Sequence, residues 1–229
     1  MADLAKLQNG SDIRGIAIAT DEWQVNLTAE AVKRITSGII KWLRQSNEEE
    51  YQAGRLRIGI GRDSRLSGPD LVDNMVKQAL AEGVEVLDFG LATTPAMFMA
   101  TQYEEFACHA GIMITASHLP YYFNGIKIFS QKGGAEHEDI DYILAHTEAN
   151  SNEKKGSVTT ADILTPYSAD LVEKIRQGSG MDSDKPLAGM KIIVDAGNGA
   201  GGFFADSVLE VLGADTSGSQ FLEPDGSFP

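Results

Sequence analysis

Cysteine is nearly absent: Cys108 is the single one in 229 residues, so no disulfide can form within the chain. That excludes a disulfide-stapled secreted scaffold and predicts a reducing, cytoplasmic setting. Apolar residues follow Cys108 from Ala110 onward, which predicts a buried structural thiol rather than a nucleophile, because burial raises a thiol pKa. Long hydrophobic runs are missing too. No stretch approaches the ~18 apolar residues a membrane span needs, and the start, MADLAKLQNGSDIRG, has neither the basic nor the apolar region of a signal peptide. No membrane partner is expected. Positive charge is scarce: 19 Lys and Arg face 33 Asp and Glu, a net charge of −14. This balance argues against nucleic acid as a partner. It leaves room for a phosphate ligand, since a local cluster of Arg, Lys and backbone N–H groups overrides the global charge. No Walker-type phosphate loop occurs.

What is present is an ordinary globular composition, 42% hydrophobic with 24 glycines. Strand-length apolar runs alternate with helical patterns, the sign of an α/β fold. The spacing predicts a helix over 30–44 with Val32, Ile35, Ile39, Ile40 and Leu43 on one face, then a polar connector over 45–55. A buried strand over 56–60 leads to a helix that opens near Ser67, Gly68 and Pro69 and stops at Gly83. Strands are expected over 84–89, 110–115 and 125–129, and helices over 94–102 and 138–146. Residues 147–162 are polar and mark a boundary. Beyond it come a helix over 164–177, a strand over 190–195, a glycine-rich turn over 196–202 and a helix over 203–212.

The most informative stretch is Ile114-Thr115-Ala116-Ser117-His118-Leu119-Pro120. A buried strand runs into a serine, a histidine and a proline-fixed turn, which delivers the Ser117 hydroxyl to the C-terminal end of a strand, where α/β sheets bind ligands. A serine so placed suits phosphoryl transfer, which needs an exposed hydroxyl, a nearby cation and little else. Lys127 lies ten residues on, and a hairpin-like return would bring its ammonium near Ser117.

That stretch, followed by Asn124-Gly125-Ile126-Lys127, resembles the active-site serine loop of the α-D-phosphohexomutases, the phosphoglucomutase and phosphomannomutase superfamily. Further segments resemble the family in the expected order. Gly10-Ser11-Asp12-Ile13-Arg14-Gly15 is similar to its N-terminal arginine motif, and Gly61-Arg62-Asp63-Ser64-Arg65-Leu66-Ser67 to its GRDxRxS segment. Gly90-Leu91 with Thr94-Pro95 resembles a GxxxTP element. Val194-Asp195-Ala196-Gly197-Asn198-Gly199-Ala200-Gly201-Gly202 looks like the opening of its second domain, and Pro224-Asp225-Gly226-Ser227-Phe228-Pro229 like a later loop there. The resemblance implies two consecutive three-layer α/β/α domains with mixed sheets, over 1–158 and 159–229, the second incomplete. It implies an isomerase that interconverts hexose 1-phosphate and hexose 6-phosphate through a phosphoserine and a sugar bisphosphate, the latter also the activator. Ser117 would be that phosphoserine, with a phosphate oxygen bound to Mg²⁺. Arg14 would face the transferring phosphate, and Lys127 and His118 would assist proton transfer and charge neutralisation. Arg62 and Arg65 are further candidates for phosphate, one of them an alternative structural ion pair. Arginine suits bidentate phosphate contacts, and histidine titrates near neutrality.

Two features differ from the family pattern. Leu119 stands where the family has asparagine, and Tyr121-Tyr122-Phe123 is expected to pack over it and hold the loop. The Asp-Gly-Asp-type metal loop and the C-terminal sugar- and phosphate-reading domains have no counterpart here, so the chain alone is expected to bind metal poorly and to turn over little substrate. Two other classes compete. One is a non-catalytic sugar-phosphate-binding module. The other is a dinucleotide-binding oxidoreductase built on Gly197-x-Gly199-x-x-Gly202, which would need a buried strand where the polar 214–219 lies. A hydrolase reading of Glu136-His137-Glu138-Asp139-x-Asp141 fails on spacing, and acidic residues there suit a helix N-terminus.

Overall fold

The computed structural model describes residues 3–150 and 154–226. The chain divides into two compact units, with the division after Ala161.

The first unit is built on a sheet of eight strands: β1 (Gln8–Asn9), β2 (Asp12–Ile16), β3 (Arg57–Arg62), β4 (Glu85–Leu91), β5 (Ala110–Ile114), β6 (Phe123–Ser130), β7 (Gly133–Gly134) and β8 (Ser157–Thr160). Their order is β1-β2-β6-β5-β3-β4-β8, with β7 paired to β6. The sheet is mixed. The β5-β3-β4-β8 half is parallel, whereas β1, β2, β5, β6 and β7 join in antiparallel pairs.

Three helices, α1 (Ala29–Ala53), α2 (Gly68–Ala81) and α4 (His137–Ala145), pack with one face of this sheet. Ile35, Ile39, Met75, Ile140 and Ile143 from the helices share a core with Ile58, Ile60, Ile112, Ile114, Ile126 and Ile128 from the strands. The alternating residues of β3 and β5, Gly61 and Gly111, meet α3 (Thr94–Met99) through Met97 on the opposite face. The first unit is therefore the expected three-layer α/β/α arrangement.

Two elements extend beyond their sequence pattern. α1 continues to Ala53 across a non-helical Asn47, through the segment read as a connector. Arg44 pairs with Glu48 one turn on and lies 4.3 Å from the centroid of the Tyr51 ring. Tyr51 is buried, so tertiary anchoring overrides a polar sequence. β8 falls within the stretch read as a boundary. All four of its residues are exposed, which erases the alternation that marks a half-buried strand. Its pairing with β4 carries the first unit three residues past the 158/159 boundary.

The second unit contains α5 (Leu164–Ser179), opened by Asp162, whose carboxylate accepts the N–H groups of Leu164 and Thr165 at 2.9 and 3.2 Å. A π-helical segment, Ala205–Glu210, stands where a longer helix was expected. Val172, Val208 and Leu212 form its core. The strand expected over 190–195 is present only as isolated parallel bridges, Lys191 to Asp215 and Asp195 to Gln220. Asn198 closes the glycine-rich turn by donating Nδ2–H to the Glu223 carbonyl at 2.7 Å and accepting the Asp225 N–H on its own carbonyl at 3.2 Å. A Cβ at Gly202 would lie 1.9 Å from the Leu222 carbonyl oxygen. That glycine is accounted for by chain packing, with no need of a dinucleotide. Residues 227–229 of the motif ending at Pro229 lie outside the described residues.

Candidate active site

The strand register assembles the site. Arg14 on β2 pairs with Gly125 on β6, and the Thr115 N–H donates to the Gly125 carbonyl at 3.1 Å. On the far side of β5, the Asp63 N–H donates to the Ile114 carbonyl at 3.1 Å. Side chains on one face of a sheet recur every second residue, so Arg14, Gly125, Thr115 and Asp63 form a transverse row over four strands. Gly125 keeps the row open. A Cβ there would meet Ile13 O at 2.5 Å, Thr115 O at 2.8 Å and Arg14 Cγ at 3.1 Å. The Arg14 side chain thus starts out over Gly125 of β6, and its charge is felt by the buried Arg65.

Ser117 and His118 are exposed, and Ser117 Oγ lies 3.3 Å from His118 Nδ1. The serine adopts φ +56°, a left-handed conformation that costs a residue with a Cβ ~1–2 kcal/mol. Its surroundings hold it there. The Ser117 N–H donates to Thr115 Oγ1 at 3.1 Å, and the Thr115 hydroxyl donates to Asp63 Oδ2 at 2.7 Å. Its carbonyl accepts from Arg65 at 2.9 Å.

Arg65 is the organiser of the loop. Only 1% of its side chain is exposed, and it donates to four loop carbonyls: Ser117 at 2.9 Å, Leu119 at 2.7 Å, Pro120 at 2.8 Å and Phe123 at 3.0 Å. Its Nε–H faces Asp63 Oδ2 at 3.3 Å. Burial pushes the guanidinium below its ordinary pKa, with Asp63 opposing that effect and Arg14 reinforcing it. These contacts turn the Arg65 donors under the seryl loop rather than towards a phosphate, and of the two arginines it is Arg65 that makes the structural ion pair, with Asp63. Arg62 bonds the Asp63 carbonyl at 3.1 Å, and its stem packs at the start of α2, 3.1 Å from the Cβ position of Gly68. Within the aromatic triplet the ring centroids lie 5.4 Å apart for Tyr121–Tyr122 and 5.0 Å for Tyr122–Phe123. Arg65 fastens the loop from beneath through its four carbonyl contacts.

The other two cations meet at Asp12. Arg14 reaches Asp12 Oδ2 at 2.8 Å, and Lys127 reaches Asp12 Oδ1 at 2.5 Å. β5 and β6 are antiparallel, with Lys127 opposite Met113, so the hairpin-like return brings Lys127 beside the strand that ends in the serine loop. Asn124, fully buried, ties the base of the loop to α2 by donating to Ser67 Oγ at 2.9 Å. Sequence reasoning passed over Asp12, Asp63, Thr115 and Asn124. The available signal was an acidic residue two positions before an arginine, at Asp12/Arg14 and again at Asp63/Arg65, which on extended chain shares its face.

Residues 5–154 match the family model described as phosphoglucomutase/phosphomannomutase, alpha/beta/alpha domain I. The chain belongs to the phosphoglucomutase/phosphomannomutase family. It is 33% identical over 190 residues to the phosphomannomutase/phosphoglucomutase of Pseudomonas syringae pv. tomato, covering 82% of this chain and 38% of that protein. It is 34% identical over 233 residues to the phosphoglucomutase of Neisseria meningitidis serogroup A, covering 100% of this chain and 45% of the relative. A solved phosphoglucomutase/phosphomannomutase family protein from Burkholderia thailandensis superposes with a TM-score of 0.74 at 26% identity, over 96% of this chain and 44% of that one. The chain thus spans less than half the length of these relatives.

Magnesium is the group the resemblance implies. Among the described residues no three His, Cys, Asp or Glu side chains converge to hold a metal ion. The carboxylates beside the serine loop are already engaged, Asp12 by Arg14 and Lys127 and Asp63 by Arg65. A phosphoserine would add one ligand where Mg²⁺ wants near-octahedral oxygen coordination. These residues alone do not fit a magnesium site. Cys108 lies outside the site: it is fully buried, and burial pushes its thiol up to about 12. No described helix is long and apolar enough to cross a membrane.

Proposed function

We propose that this chain carries the phosphoryl-accepting serine of a cytoplasmic phosphohexomutase, an isomerase acting on a hexose phosphate through a phosphoserine at Ser117 and a sugar bisphosphate. The observation that carries the reading is an exposed serine held in a left-handed conformation, its hydroxyl on a histidine, with Arg14 and Lys127 gathered at Asp12 on the neighbouring strands β2 and β6. In the transfer, the P–Oγ bond of the phosphoserine breaks as a P–O bond to a sugar hydroxyl forms. The sugar hydroxyl gives up its proton to His118 and Ser117 Oγ takes one from it, so no proton is gained or lost overall. His118 Nδ1 is the group within reach of that oxygen, so His118 moves the proton at Ser117. Arg14 and Lys127 neutralise charge on the phosphoryl oxygens, the dominant requirement of phosphoryl transfer. Arg65, buried beneath the loop, is a positioning residue.

Intact mass after incubation with glucose 1,6-bisphosphate tests this reading. The wild-type chain gains one phosphoryl group and the Ser117→Ala chain none. An unmodified wild-type chain would instead favour a non-catalytic sugar-phosphate-binding module.

A further inference from the structure

Asp12 is placed awkwardly for a phosphate site, since a carboxylate repels a phosphoryl group. Yet it sits between the two cations proposed to receive one, 2.5 Å from Lys127 Nζ and 2.8 Å from the Arg14 guanidinium. The arrangement is built. Asp12 and Arg14 are two apart on β2 and share a face, and Lys127 lies one step beyond the Ile13–Ile126 pair on β6. The Asp12 side chain is 14% exposed, so the cluster is screened less than a surface pair. Its three charges sum to +1.

We propose that Asp12 is a stand-in for phosphate: it holds Arg14 and Lys127 in register while the site is empty and competes with the phosphoryl group for them when one arrives. Two consequences follow from the charges. The cations are already gathered when phosphate arrives, so it need not assemble them from scattered positions. The phosphate is also held less tightly than two unopposed cations would hold it, which lets the phosphoryl group leave Ser117 for a sugar hydroxyl. Binding that is equally strong before and during transfer adds nothing to rate. Asp12 thus acts through Arg14 and Lys127, as a positioning residue that sets how firmly they grip. Its role in transfer rests on the Ser117 reading, but the competition itself does not.

The sign of one substitution separates this from a purely structural ion pair. Asp12→Asn keeps the shape and removes the competing charge, raising the cluster from +1 to +2. Inorganic phosphate, titrated as the dianion into the whole chain at low salt and followed by amide NMR shifts at Thr115 and Ser117, binds the variant roughly fivefold more tightly than wild type. The difference shrinks as salt rises. Unchanged or weaker binding by the variant overturns the proposal, since a mere anchor, once lost, lets the cations scatter. Should the variant fold poorly, the wild-type chain gives a second readout: the Asp12 carboxyl carbon resonance moves on adding phosphate as its cations are drawn off, and a resonance that stays fixed overturns the proposal. Failure of the Ser117 reading registers separately, as absence of phosphoryl uptake from glucose 1,6-bisphosphate.

Discussion

Replacing Arg65 by lysine keeps the charge and removes the planar fork that the seryl loop is wrapped around. The guanidinium serves five acceptors, the carbonyls of Ser117, Leu119, Pro120 and Phe123 and the Asp63 carboxylate. An ammonium offers three donors from one nitrogen, so at least two of those acceptors lose their partner. A hydrogen bond from a charged group contributes about 1.5–3 kcal/mol, and water reaching the exposed side of the loop offsets part of the loss. The net cost to the ordered loop is then about 2–3 kcal/mol, equivalent to a 30- to 150-fold rise in local opening. Amide hydrogen exchange reads this directly, because the Leu119 N–H donates to Ala116 O and the Phe123 N–H to Pro120 O within the loop. Both amides are expected to exchange faster by that factor in Arg65→Lys, with exchange on α1 unaltered. If the two loop amides keep their wild-type rates, Arg65 is not what holds the loop, and the account of Ser117's strained conformation fails with it.

Gly125→Ala puts a methyl group 2.5 Å from Ile13 O and 2.8 Å from Thr115 O. It is expected to destabilise the first unit by about 1–3 kcal/mol in urea denaturation and to displace Arg14. A neutral stability change would show that the Ile13 and Thr115 carbonyls do not press so closely on Gly125. His118→Ala removes the side chain that lies 3.3 Å from Ser117 Oγ, and phosphoryl uptake should slow by about 10²–10⁴-fold, the usual range for a general acid–base; an unchanged rate removes His118 from the reaction. Burial pushes the Cys108 thiol up to about 12 from an ordinary 9.0. Its folded pKa is raised, so the stability it contributes is complete below about pH 9 and drains away as pH climbs to about 12. Chemical denaturation across that window should fall less steeply for Cys108→Ala than for wild type, and equal slopes would refute the burial argument.

Much of this molecule was written in local pattern. The apolar face of α1, the glycine and proline at the start of α2 and the all-apolar β5 were each legible because their signals lie within a few residues of one another. What escaped is what depends on distant partners. Tyr51 draws α1 past its polar connector by burying beside Arg44, and nothing around Tyr51 announces that. β8 carries no alternation because only its backbone is used, against β4. The site shows the same division. Ser117, His118 and Lys127 stood out as residue types suited to phosphate. The direction of Arg65 could not be read locally, since it depends on carbonyls over 50 positions away. In the second unit the residues expected as a strand meet their neighbours only at single bridges.

The central claim is that Ser117 is the phosphoryl acceptor, and the most direct measurement is tandem mass spectrometry of the chain as purified from expressing cells and after exposure to glucose 1,6-bisphosphate. The account predicts one added phosphoryl group, located on Ser117 and absent from Ser117→Ala. A chain that stays unmodified under both conditions, or that carries its phosphate on another residue, would contradict it.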